Sequence, residues 1–175
     1  MMVGSKSIIF VLCLHYLCFH SSVVLSQQLF ASSLIQEQQR LTLYTEFSES
    51  KVKAGSIVEL SIRGKIEQGW HIYSTQTGGD LQSLATKITY SPSLVHLPQS
   101  RLLESKPITY FDEVIDLTLQ VHQHQFVLTQ RFKIADFAQV GVQDLSGNLE
   151  YFICDNHICS PQQQLEFIAP LEVIP

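Results

Sequence analysis

Two cysteines five positions apart, Cys154 and Cys159, are the residues of this chain best suited to chemistry. They lie in the run YFICDNHICSP at 151–161, where Cys154 ends an alternating stretch and Asp155, Asn156 and His157 are turn material. Four intervening residues are enough to fold the chain back and bring the two Cβ atoms within bonding reach. A loop this small stabilises the folded state by only about 2 kcal/mol in the chain-entropy model. A bridge serving stability would more usefully tie distant strands, as the inter-sheet disulfide of antibody domains does. Two readings stay open on the residues alone: a staple at a hairpin end, and a reactive pair that exchanges disulfides through a thiolate.

The neighbours of the pair also admit two readings each. His157, between the cysteines, lowers a thiol pKa when protonated, but it also reads simply as an exposed turn residue. Cys154, Cys159 and His157, with His122 or His124, supply four zinc donors. Their spacing lacks the separated CxxC-like pairs of a strong zinc signal, and His122 and His124 share what reads as the solvent face of a strand. No metal and no cofactor is expected. Asp112 and Glu113 follow Tyr110 and Phe111 in a connection before a strand. A carboxylate beside a thiol can shuttle its proton when burial raises its pKa. Without further information the two acids read as an ordinary acidic turn.

What surrounds the pair sets its compartment. Lys6 is the only Lys, Arg, Asp or Glu before Glu37, and a short apolar core follows it over residues 8–19. With the small residues Ser22, Val24 and Ser26 behind it, this predicts an export signal over 1–26; an uncleaved anchor is the alternative, since Val23, Val24 and Leu25 lengthen the run. Cys13 and Cys18 then leave with the signal, and the two remaining cysteines pair in an oxidising compartment. A net charge of −5 without any block of Lys or Arg argues against nucleic acid as a partner. Nothing after the signal is long and apolar enough to span a membrane.

The elements that must position the pair are strands. Residues 27–40, rich in Gln and Ser, read as a tether, and the domain proper as 41–175. From Leu41 the hydrophobic period is two: Leu41, Leu43 and Phe47; Val58, Leu60 and Ile62; Trp70, Ile72 and Ser74; Ile88 and Tyr90; Ile115, Leu117, Leu119 and Val121; Phe126, Leu128, Phe132 and Ile134; Leu149, Tyr151 and Ile153; Leu165 and Phe167 before Pro170. Such alternation means one buried and one wet face, and many short strands between turns predict an all-β antiparallel sandwich. Residues 91–107, with three prolines, read as one long connection.

The ordered set GWHIY at 69–73, KP at 106–107, YFDE at 110–113 and YFICDNHICSP at 151–161 resembles the periplasmic N-terminal domain of the thiol:disulfide interchange protein DsbD, over roughly residues 41–173. The resemblance implies an immunoglobulin-like fold and a periplasmic domain that relays electrons by mixed disulfides. It implies Cys154 and Cys159 as the redox pair, with Cys159 meeting the partner, and Asp112 and Glu113 on a cap loop over the disulfide. Tyr73, Tyr110, Phe111, Val114 and His157 are then expected around the pair. The implied partners are thioredoxin-like: a reductant, and periplasmic acceptors such as disulfide isomerases and cytochrome-maturation proteins. The chain departs from the pattern at Val114, where well-known members carry a shielding Phe, and in lacking the family's transmembrane and thioredoxin-like segments, so the reductant is expected in trans. The competing function is a secreted, non-enzymatic sandwich that binds a partner and uses the disulfide as a staple.

Overall fold

Strict alternation of buried and exposed side chains builds most of this molecule. The computed structural model describes residues 40–175; the expected signal, and the expected tether except Arg40, lie outside the described residues. The strands are β1 Leu41–Phe47, β2 Lys51–Lys53, β3 Ile57–Ile66, β4 His71–Tyr73, β5 Lys87–Tyr90, β6 His96–Pro98, β7 Leu103–Glu104, β8 Ile108–Asp112, β9 Leu117–Gln123, β10 Gln125–Ile134, β11 Gly141–Tyr151, β12 Ile153–Cys154 and β13 Gln163–Ile174. A short 3₁₀ turn, Gly79–Leu84, precedes β5.

Three sheets result. The first has the order β1-β3-β10-β6, with β7 also on β10; the second is β2-β13-β11-β5; the third is β12-β4-β9-β8. All pairings are antiparallel except β2 with β13. One apolar core is shared by the first two sheets. Val58, Leu60, Ile62, Phe126, Leu128 and Phe132 enter it from one, and Leu145, Leu149, Phe167, Ala169 and Leu171 from the other. Burying side chains of this size contributes about 1.5–3 kcal/mol each. Gly64 of β3 belongs to the same face. A Cβ there would stand 2.0 Å from the Phe126 ring of β10, so only glycine lets that ring lie across its neighbour strand.

The expected sandwich of immunoglobulin type is the fold observed. Several details differ. The last strand does not stop before Pro170 but runs through it to Ile174; β2 pairs only with 172–174, so Pro170 needs no donor on that side. The connection 91–107 contains two short strands, β6 and β7, both on β10. Asp112 is not in a connection but ends β8, and the following strand begins at Leu117 rather than Ile115. Leu117 is exposed, and His122, expected on the solvent side with His124, is buried. The buried face of β9 changes at Val121 and His122, which are buried in succession, so a simple period-two reading fails there.

The third sheet carries the cysteines. A turn closed by Trp70 N–H to the Glu67 carbonyl, with Gly69 at φ 87°, delivers the chain into β4. Positive φ at the third residue of such a turn calls for glycine. All three residues of β4 are buried because both faces are covered: Ile72 joins the main core, while Tyr73 packs with Cys154 and His71 meets Asp112.

Candidate functional site

Cys154 and Cys159 are joined in a disulfide across a Cα–Cα distance of 4.1 Å. The local sequence dictates the fold-back. Asp155 Oδ1 accepts from the backbone N–H groups of His157 and Ile158 at 2.7 and 2.8 Å, which shapes the turn. The Asp155 N–H reaches the Ile158 carbonyl, and Ser160 closes on Ile153 through both its backbone and its hydroxyl. The two backbone amides hold the Asp155 carboxyl below its ordinary pKa. Cys154 is fully buried, while Cys159 is partly exposed beside the exposed Ile158. The two sulfurs are therefore unequal toward anything arriving from solvent.

Behind the bridge lies a buried polar chain. The Tyr73 hydroxyl donates to Asp112 Oδ2 at 2.6 Å and stands 3.3 Å from Cys154 Sγ and 3.6 Å from Cys159 Sγ. His71 Nε2 meets the same carboxylate oxygen at 3.1 Å. Asp112 Oδ1 accepts from the backbone N–H groups of Val114 and Ile115. Burial works to raise the Asp112 pKa, but the bonds from Tyr73, His71 and the two amides outweigh it and hold the carboxyl below its ordinary value. The proton-shuttle expectation assumed a carboxyl raised by burial; here hydrogen bonding wins and keeps the carboxylate ionised. Burial first, then the carboxylate of Asp112, pushes the Tyr73 phenol far above its usual range, so this hydroxyl keeps its proton.

Tyr110 reaches over the loop. Its hydroxyl donates to Asn156 Oδ1 at 2.6 Å, and its ring lies 4.7 Å from that of His71. Apolar cover over the bridge comes from Leu84, Ile115, Leu119 and Phe152, packed with Tyr110 around Tyr73, Val121 and Cys154.

The sequence-expected residues are thus only partly gathered. Cys154, Cys159, Tyr73, Tyr110 and Asp112 form one connected group. Phe111 is exposed on β8, Glu113 and Val114 are exposed on the β8–β9 turn, and His157 sits on the exposed tip of the disulfide loop. Ile115, one residue after Val114, packs against the site. His71 was not singled out as a site residue, although it lies two residues before Tyr73 on a strand whose next-but-one residue was expected in the pocket. The zinc donors weighed from sequence are not assembled: His122 is bonded to Glu104 at 3.1 Å, and His124 and His157 are exposed. Among the described residues, the donors that come together are those of His71, Asp112 and Cys154.

A half-buried disulfide backed by a tyrosine–carboxylate chain, carried on the small sheet of an immunoglobulin-like sandwich, fits a thiol:disulfide interchange domain. The family model for the N-terminal part of the thiol:disulfide interchange protein DsbD matches residues 22–170, and the chain belongs to that family. The N-terminal periplasmic domain of ScsB from Proteus mirabilis superposes with a TM-score of 0.52 at 14% identity, over 78% of this chain and 48% of that one. The Neisseria meningitidis DsbD N-terminal domain in its reduced form gives 0.49 at 17% identity, over 79% and 90%. At such identities the likeness is one of fold, and this chain spans about half the length of the ScsB chain. No curated protein matches the chain. No helix among the described residues is long and apolar enough to cross a membrane.

Proposed function

We propose that this domain is an exported, periplasmic thiol:disulfide oxidoreductase that passes electrons to partner proteins through Cys154 and Cys159. The observation that carries the reading is the Tyr73 hydroxyl, which joins an ionised buried carboxylate to both sulfurs. A purely structural staple has no use for that contact.

In the reduced domain the more accessible Cys159, as thiolate, attacks a partner disulfide. One partner sulfur leaves as thiolate, and a mixed disulfide forms. Cys154 then attacks Cys159, releasing the second partner sulfur and restoring the bridge. For that step the Cys154 thiol must lose its proton. The single hydroxyl proton of Tyr73 is donated in a hydrogen bond to Asp112, so its oxygen is free to accept a hydrogen bond from the Cys154 S–H. The proton path then runs from sulfur to tyrosine to carboxylate. Asp112 is the acid–base residue of this scheme. Glu113, exposed on the adjacent turn, would meet a docking partner rather than the sulfur. Tyr110, Ile115 and the β8–β9 turn form the cover that a partner displaces. The exposed Phe111 of β8, the exposed Val114 of the turn and His157 at the loop tip offer the docking contacts. The partners would be thioredoxin-like proteins, with both reductant and acceptors arriving in trans.

The test is the reduction potential of the bridge in a full-length chain carrying Cys13→Ser and Cys18→Ser, equilibrated in defined thiol buffers and read by alkylation and mass. A potential above about −300 mV fits an exchanging pair. Trapping with Cys154→Ser should then hold thioredoxin-like partners on Cys159. A bridge that stays oxidised far below that potential would make the domain a stapled binding module instead.

A further inference from the structure

Opening the bridge would leave two sulfurs beside a buried imidazole and a buried carboxylate. One donor atom each from His71, Asp112 and Cys154 lies within 4.8 Å of the others, and all three residues are buried. Cys159 Sγ is bonded to Cys154 Sγ and therefore joins the group once the bridge opens. We propose that the reduced domain binds one zinc ion through Cys154, Cys159, His71 and Asp112.

The donor set selects the ion. Two thiolates, an imidazole and a carboxylate make four ligands, and sulfur disfavours the hard cations magnesium and calcium. Zinc takes such mixed sets in a tetrahedron, with bonds of about 2.3 Å to sulfur and about 2.0–2.2 Å to nitrogen and oxygen. Those lengths place the ligand atoms roughly 3.2–3.8 Å apart. His71 Nε2 and Asp112 Oδ2, at 3.1 Å, are already near that separation. The two sulfurs are bonded to each other in the disulfide and carry no thiolate charge, so the site exists only in the dithiol state. Support around the ligands is also in place: the amides of Val114 and Ile115 hold Asp112 Oδ1, and the Tyr73 hydroxyl holds Oδ2.

Binding exchanges two thiol protons for one zinc ion. Two S–H bonds break, two Zn–S bonds form, two protons pass to solvent, and no electron moves. A disulfide oxidant reverses it: the two thiolates give up two electrons, the Cys154–Cys159 bond reforms, the oxidant leaves as two thiolates, and zinc is released. The inference requires only that a small reductant can open the bridge, whichever protein opens it in the cell.

The same Cys13→Ser, Cys18→Ser chain is reduced with a phosphine, freed of reductant without oxygen, and titrated with zinc against a chromophoric chelator and separately with cobalt(II). The expected result is one zinc per chain, released on oxidation, and a cobalt spectrum with thiolate charge-transfer bands and intense tetrahedral d–d bands. His71→Ala should weaken zinc by about tenfold or more, and His157→Ala should not. If His71→Ala fails to fold, the cobalt spectrum of the parent chain still decides, since thiolate ligation and tetrahedral geometry are read without a variant. Absence of stoichiometric zinc, an octahedral cobalt spectrum, or weakening by His157→Ala in place of His71→Ala overturns the proposal. Failure to exchange with thioredoxin-like partners would leave the zinc result standing and sink the relay alone.

Discussion

Tyr73 is the residue on which the site converges, because one hydroxyl serves a carboxylate and two sulfurs. Tyr73→Phe keeps the ring in its buried place and deletes only that link. Asp112 retains His71 and two backbone amides, so the fold should lose about 1–2 kcal/mol. Loss of the proton path should slow reoxidation of the dithiol by a small disulfide about tenfold or more. Stopped-flow exchange and a urea melt measure the two effects, and a full-speed variant would remove Tyr73 from the path. At this scale the sequence was informative where residue type is scarce: two cysteines beyond the expected signal, and a Tyr and an acidic pair in the family's order. It was silent on His71, because a lone histidine in an alternating run carries no sign of its partner 41 positions away. It also pointed to Val114 for cover, since the motif aligns that position. The β8–β9 turn instead leaves Val114 exposed and packs Ile115 against the site.

Among the elements, the disulfide loop and β8 hold one another. The link is the Tyr110 hydroxyl on Asn156, an exposed bond 2.6 Å long. Tyr110→Phe should leave global stability within about 0.5 kcal/mol, as surface changes usually do. It should nevertheless free the loop, so that dithiothreitol opens the bridge severalfold faster. Equal reduction rates in parent and variant would show that Tyr110 does not restrain the cover. The long alternating strands β3, β10 and β11 were legible because each buries a single face. By contrast β8 shows no period in the sequence: only Asp112, a carboxylate, is buried in it, so its residues predict a connection. Its strand character comes from pairing with β9, a tertiary effect that no local pattern encodes.

For the whole molecule, the question is what fixes the cysteine-bearing sheet to the main sandwich. Glu104 of β7, a strand of the first sheet, sends its carboxylate into the third. Its oxygens take bonds from His122 of β9 at 3.1 Å, from the Ser74 hydroxyl just after β4, and from the Thr75 amide at 3.0 Å. The side chains of Glu104 and His122 are only 1% and 4% exposed. Burial opposes ionisation of this carboxyl, yet the bonds from His122, Ser74 and Thr75 together pull its pKa down from 4.5 to about 2. A depressed folded-state pKa means stability that is present in full above the unfolded value. It should be lost progressively as pH falls from about 4.5 toward 2. A shift of this size corresponds to on the order of 3 kcal/mol. Because Ser74 follows Tyr73 directly, this loss should loosen the bridge's backing before the core of the first two sheets gives way. Hydrogen exchange between pH 5 and pH 3 should show β4 and β9 losing protection ahead of β3 and β10. Glu104→Gln should lower stability at pH 7 and flatten the acid dependence in the same window. Uniform loss of protection across all strands, or an unchanged acid profile in Glu104→Gln, would mean that the two parts are held by apolar packing alone.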